Sequence, residues 1–169
     1  LGPDGIFFGS QEGKTGANFT MAKGSTLDIQ YDHASTGKNY KLDTVYFNSF
    51  KTSGDGDNPI IMFDINPKAE GNQKTDIIRI ATAPSTLGEN ETYDIKGIFN
   101  LREDFERGTT SETYKVIQFV TGNPYVNFDD NLTLTKLETT SYTYTLTKGE
   151  DVDISKTIVL SKDSDELNK

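Results

Sequence analysis

The chain has 169 residues, which is enough for one domain with a hydrophobic core. Its formal net charge of -9 excludes nucleic acid as a favoured partner, because a polyanion would be repelled. The absence of cysteine excludes disulfides, thiol catalysis and zinc–thiolate sites, and no apolar run of about 18 residues is present that would span a membrane.

Apolar and polar residues alternate with a period of two along the whole chain, which predicts strands that are buried on one side. The alternation is clearest at Tyr142, Tyr144 and Leu146, where threonines separate the apolar side chains. In chain order, predicted strands cover residues 27–31, 45–50, 61–65, 77–81, 93–95, 114–120, 132–134, 142–146 and 152–160. With neighbouring segments we count about ten strands, at a spacing that is typical of a sandwich or barrel.

Turn residues separate these strands. Glycine, asparagine, aspartate and proline concentrate in residues 35–39, 53–59 and 122–124, which predicts loops there. One segment has helix signals, because Asn100 can cap a helix that Gly108 would end. A polar hairpin loop is the alternative for that segment. The predicted fold is therefore all-β, an antiparallel β-sandwich of the jelly-roll or Ig-like kind, with at most one short helix.

The domain organisation predicted from the sequence is simple. Residues 1–169 contain no repeat and no linker, so we expect a single β-sandwich domain. Residues 161–169 are polar and charged and are predicted to form a C-terminal tail. The chain begins without a methionine and is rich in threonine, serine, asparagine and glycine. These features favour an exported protein with an extracellular or cell-surface location, although a trimmed chain would also begin in this way.

The candidates for catalysis are few. His33 is the only histidine, and neither a nucleophile motif nor an acid partner accompanies it. A loop histidine is the simpler interpretation. Carboxylates are numerous, but the sequence has no tryptophan on which a sugar substrate would stack. We therefore expect that the protein is not an enzyme.

Calcium is the one cofactor for which the sequence makes a case. Asp55, Asp57 and Asn58 supply closely spaced oxygen ligands in a bending loop, although the apolar run that follows excludes an EF-hand. Two further acidic turns, residues 129–131 and 150–153, could converge with this loop or with a neighbouring subunit. The alternative is that aspartate, asparagine and glycine are simply the residues that turns prefer.

The segment Ala17-Asn18-Phe19-Thr20-Met21-Ala22-Lys23-Gly24-Ser25-Thr26-Leu27-Asp28-Ile29 resembles the start of TasA- and camelysin-type matrix fibre proteins. The turn at residues 36–39 and the strand-like residues 45–48 continue the resemblance, but the family's Pro-Gly-Asp turn is missing. The resemblance covers about a third of the chain. It implies a jelly-roll-like sandwich that is exported and that assembles by donor-strand complementation, as in pili or tubules.

An apolar N-terminal segment gives this implication a physical basis. Ile6, Phe7 and Phe8 lie between glycines, and residues 1–9 could serve as a donor arm for an open sheet edge of a neighbour. The alternative is that the arm pairs within its own sheet.

Three functions remain in view from the sequence. The first is a non-catalytic structural subunit that forms a filament or tubule from copies of itself. The second is a monomeric cell-surface adhesin or glycan-binding domain, whose partner would be a glycan or surface receptor. The third is an aerolysin-like pore-forming toxin, which the threonine alternation of residues 139–147 suggests.

Overall fold

The computed structural model describes residues 7–8, 17–30, 42–136 and 140–164. Within these ranges the chain consists of strands and connecting turns, and no helix occurs. In chain order the strands are β1 (Phe7–Phe8), β2 (Asn18–Ala22), β3 (Thr26–Asp28), β4 (Thr44–Phe47), β5 (Ser49–Ser53), β6 (Ile60–Ile65), β7 (Ile77–Ile80), β8 (Tyr93–Leu101), β9 (Ser111–Phe119), β10 (Val126–Phe128), β11 (Thr133–Lys136), β12 (Thr143–Lys148) and β13 (Ser155–Ser164).

The strands stack as a β-solenoid of about three turns. Each turn of the chain returns a strand to the side of its equivalent in the previous turn, so β4 pairs with β7 and β6 pairs with β8, both in parallel. Parallel neighbours cannot be joined by a tight hairpin, so a full circuit of the chain separates them. The solenoid is therefore held together by contacts between successive turns.

Six strands form what we call the first sheet, in the order β1-β4-β7-β9-β13-β12. The pairs from β1 to β9 are parallel. The last two strands are different, because β13 is antiparallel to β9 and β12 is antiparallel to β13. We call β12 and β13 the capping hairpin, since it extends the first sheet beyond the last parallel strand.

The second sheet contains β3, β6 and β8 in parallel, with β10 and β11 lying one after the other along β8. A third, two-stranded sheet pairs β2 with β5. The turn between β2 and β3 requires a glycine, because Gly24 has a φ of 83°, in the left-handed region. The first and second sheets, together with the third, face a common core.

The core follows from the alternation within the strands. In β6, Ile61, Phe63 and Ile65 point inward and are fully buried. Phe63 lies beside Phe99 of β8, and their rings stack with centroids 4.8 Å apart. Each such side chain contributes about 1.5–3 kcal/mol through burial, so columns of inward residues that run from turn to turn stabilise the stack.

The predicted antiparallel β-sandwich is wrong. The chain is all-β in the described residues, as expected, but parallel pairing between solenoid turns dominates, and only the pairs that involve β13 are antiparallel among the named strands. Alternation reports which side of a strand is buried, whereas the identity and direction of the partner strand depend on residues that are remote in the sequence. The sandwich prediction rests on the number and spacing of the strands, and a solenoid has the same number and spacing.

The helix considered for residues 100–108 is also absent. Asn100 and Leu101 complete β8, and Phe105 is buried against the core in the loop that follows. Tertiary burial of these apolar side chains outweighs the local capping signal. At the C terminus, β13 extends to Ser164, so the first residues of the expected tail lie in a strand, and residues 165–169 lie outside the described ranges.

Candidate functional site

The outer edge of β12 is the most extended open strand edge of the first sheet. Among the described residues, no strand lies along that edge. Gly149 N donates to Thr157 O (3.0 Å) beside the end of β12. Hydrogen-bonded and open pairs alternate in an antiparallel ladder, so the main-chain N–H and C=O of Leu146 point to the outer edge. The Leu146 side chain is half-buried against the core, and the edge therefore offers polar main-chain groups beside apolar surface.

The two terminal strands of the first sheet run in the same direction. β1, β4, β7 and β9 are parallel to one another. The two antiparallel pairings at the capping hairpin reverse the direction twice, so β12 is again parallel to β1. The first and last strands of the sheet consequently have the direction that parallel pairing between the sheets of two copies would require.

The opposite end of the sheet contains part of the predicted donor arm. The backbone of Phe7 and Phe8 forms β1 and pairs with Tyr46 and Phe47 of the same chain. Ile6 lies outside the described residues. The segment thus occupies the end of its own sheet, and its exchange between copies stays a prediction.

The capping hairpin is anchored to the loop after β8 by Tyr144. Its hydroxyl donates to Asp104 Oδ1 (2.7 Å) and accepts from Phe105 N (3.1 Å), and its ring packs edge-on against Phe105. Burial, more than the hydrogen bond to Asp104, raises the pKa of Tyr144 above its usual range. The hydroxyl therefore stays protonated and keeps donating at all physiological pH values, which holds the hairpin over the end of the core.

A groove of about 370 Å³ lies between β10 and the capping hairpin, and residues of two of the predicted acidic turns line it. Lys148 Nζ bonds Asp130 Oδ1 (2.8 Å) across the groove, and Lys156 Nζ bonds Asp151 Oδ2 (2.9 Å) along one wall. The hydrogen bond and charge of Lys148 lower the pKa of Asp130. Both acidic turns therefore carry lysine partners, which offset part of their charge.

The predicted calcium ligands only partly approach this groove. Asn58 Nδ2 donates to Asp129 Oδ2 (3.0 Å), which joins the first acidic loop to the second. Asp55 and Asp57 are exposed in the same loop. Within the described ranges, no three histidine, cysteine, aspartate or glutamate side chains are grouped so that they could hold a metal ion. Calcium binding by Asp55, Asp57 and Asn58 stays a prediction.

A buried cluster of charged residues, which sequence reasoning missed, lies at the corner between the first and second sheets. Asp64 binds Arg102 through Oδ1 and Nε (2.9 Å), and neither side chain is more than 1% exposed. Asp76 accepts from the main-chain N–H groups of Asp43 (2.8 Å) and Asp64 (2.6 Å). The cluster thereby ties β4, β6, β7 and the end of β8 together.

The charges of this cluster are incompletely paired. Both carboxylate oxygens of Asp43 are buried without a hydrogen-bond partner. Burial and the nearby charge of Asp64 raise the pKa of Asp43 to about 6. The same two causes raise the pKa of Asp76, which its two main-chain hydrogen bonds oppose. A sequence signal existed for part of the cluster, since Asp64 interrupts an otherwise apolar strand.

His33, the one candidate for acid–base catalysis, lies outside the described residues, and the expectation that the protein is not an enzyme stays a prediction. The described part of the chain has no helix that could cross a membrane. Comparisons with protein families, with characterised proteins and with solved structures found no match to this chain. The resemblance to TasA- and camelysin-type proteins therefore stays a prediction as well.

Proposed function

We propose that this protein is a non-catalytic structural subunit that assembles head to tail, through the ends of the first sheet, into an extracellular filament. The observation that carries the proposal is the parallel direction of β1 and β12, the two terminal strands of one sheet. A second copy, translated along the stacking direction, brings its β1 beside β12 of the first copy in the parallel sense found elsewhere in the sheet.

Such a junction improves the environment of β12. Pairing supplies partners for the outward main-chain groups of the strand and covers the half-buried Leu146. The contact joins two different surfaces of the chain, and a copy that is related to the first by translation along the stacking direction continues the stack without closing into a ring, which produces a filament. The second sheet ends at β10 and β11, which both lie along β8, and it does not include the capping hairpin, so the first sheet makes the junction.

An inward-facing charge on the edge strand tests this proposal. Leu146→Lys should leave the monomer folded, because the long side chain can reach water from the end of the core. It should abolish filaments, because assembly would bury the ammonium group. Thr147→Lys is the matched control, because it adds the same charge at the next residue, where the side chain is exposed.

The readouts are electron microscopy and sedimentation of purified protein over a range of concentrations. Wild type and Thr147→Lys should form filaments, and Leu146→Lys should remain monomeric with a normal circular dichroism spectrum. A peptide of residues 1–9, added in excess, should stop filament growth, whereas a scrambled peptide should not. Monodisperse wild-type particles at every concentration, or filaments that Leu146→Lys does not affect, would refute the proposal.

A further inference from the structure

A second cleft, of about 420 Å³, lies on the third sheet and is independent of the filament junction. Its floor is the outer side of the β2–β5 pair, where Asn18 lies beside Ser49 and Thr20 lies beside Lys51 in the parallel register. Residues 82–86, which follow β7, form one wall. Thr82 N still bonds to Asn48 O, whereas no described strand pairs with β5 on the side away from β2.

The floor of the cleft contains a fixed network of amide and hydroxyl groups. Asn18 Oδ1 accepts from Asn48 Nδ2 (2.8 Å) and from Ser49 Oγ (2.7 Å). Asn48 is held in turn through its main chain, because its N–H donates to Ala17 O and its carbonyl accepts from Thr82 N. These bonds orient both amides and leave the Asn18 Nδ2 donor and the Asn48 Oδ1 acceptor without a partner among the described residues.

The charge of the cleft is opposite to that of the molecule. Lys51 is the one charged side chain among the described residues that line it, and none of those residues is acidic. Hydroxyl groups of Thr20, Ser85 and Thr86 also line it, together with Thr82 and the apolar residues Phe19, Ala83 and Pro84. A chain with a net charge of -9 therefore presents here a site with a single positive charge among neutral residues, most of which can form hydrogen bonds.

We propose that this cleft binds an acidic saccharide, such as a uronic acid residue of a glycan. The free amide donor and acceptor match a pair of sugar hydroxyls, the lining hydroxyls bind further hydroxyl oxygens of the sugar, and Lys51 pairs with the carboxylate. The volume lies within the range of about 300–1,000 Å³ that is typical of small-molecule sites. Binding here does not require filament formation, since β12 takes no part in the cleft.

A matched pair of ligands tests the inference: methyl glucuronide and methyl glucoside, which differ by the carboxylate. Protein-observed NMR of the full chain carrying Leu146→Lys, which should be monomeric and which lies outside the cleft, should show binding of the glucuronide, with shifts at Asn18, Asn48 and Lys51. Lys51→Gln should weaken that binding by about five-fold, because one exposed charge contact is lost. Lys68→Gln, which removes an exposed lysine elsewhere, should leave it unchanged.

Asn48→Ala serves as a second variant and should also weaken glucuronide binding, because it removes the oriented acceptor. Its thermal midpoint separates lost recognition from lost folding. Absence of glucuronide binding, shifts confined to other parts of the protein, or equal binding of glucoside and glucuronide would each overturn the proposal.

Discussion

Asp43 illustrates how a single residue can make folding depend on pH. Its carboxylate is buried without a hydrogen-bond partner, and burial followed by the charge of Asp64 raises its pKa to about 6, against 3.8 for the exposed group. Below pH 3.8 the group is neutral in both the folded and unfolded states. As the pH rises toward about 6, only the unfolded state gains by ionising. The contribution of Asp43 to stability is therefore greatest in acid and is lost as the pH rises.

Replacement of Asp43 by asparagine should remove this dependence. We expect Asp43→Asn to raise the free energy of unfolding at pH 7 by on the order of 2 kcal/mol and to have little effect at pH 4. Urea denaturation at a series of pH values measures both effects. Asp55→Asn, at an exposed aspartate, is the control. If the free energy of unfolding of Asp43→Asn varied with pH in parallel with that of wild type, burial of the Asp43 carboxylate would not be the source of the pH dependence.

Backbone strain at Ile154 leads to a second prediction at this scale. Asp153 and Ile154 have φ values of 49° and 51°, and they connect Val152 to Ser155 in a tight turn. A β-branched residue rarely adopts this conformation, and Ile154 is 40% exposed, so few contacts offset the strain. Ile154→Gly should therefore stabilise the protein by about 1 kcal/mol.

Thermal denaturation measures the change at Ile154. Val152→Gly is a suitable control because Val152 is equally exposed and has an ordinary φ, so it should not gain stability. A midpoint for Ile154→Gly at or below that of wild type would contradict the proposed strain.

At the scale of elements, the strength of the solenoid depends on inward columns that cross several strands. Phe99 of β8 lies between Phe63 of β6 and Leu134 of β11 in the parallel registers. It also packs edge-on against Phe128 of β10, with ring centroids 5.7 Å apart. One side chain thus connects four strands, and its loss would leave a cavity that none of them can fill alone.

Phe99→Ala should accordingly lower the free energy of unfolding by about 3–5 kcal/mol. Lys96→Ala, in the same strand but not part of the hydrophobic core, should change it by less than about 0.5 kcal/mol. Equilibrium unfolding in urea measures both. If both substitutions lowered the free energy of unfolding equally, the column of inward side chains would not be what stabilises the solenoid.

At the scale of the whole molecule, charge opposes assembly. Each copy carries a formal net charge of -9, so copies repel one another before their sheet ends can pair. Salt shortens the range of this repulsion, since the Debye length falls from about 30 Å at 0.01 M to about 8 Å at 0.15 M ionic strength. Filaments should therefore grow faster at the higher salt concentration.

Light scattering at fixed protein concentration follows this growth. Leu146→Lys should show no growth at either salt concentration, which separates the proposed junction from nonspecific salting out. Slower growth of wild-type filaments at the higher salt concentration would indicate that attraction between charged groups drives the contact.

The sequence predicted several strands well because their determinants are local. Ile61, Phe63 and Ile65 alternate with less apolar neighbours in a segment that has a proline on either side. That segment is β6. The segment 45–50 was less well predicted, since Asn48 divides it into β4 and β5, which belong to different sheets. Asn48 bonds to groups from two other turns of the solenoid. No local sequence pattern predicts that the chain changes sheets at this residue.

The sequence by itself thus determined that the described part of the chain is all-β, where most strands lie and which side chains of most strands face inward, because alternation and turn chemistry act between near neighbours. Only the tertiary structure decided that the strands pair in parallel from turn to turn, that Asn58 meets Asp129, and that Asp43, Asp64, Asp76 and Arg102 form a buried cluster. These features depend on which distant segments become adjacent. A strand with one buried side is compatible with several partners, and the choice is made by the packing of the whole core.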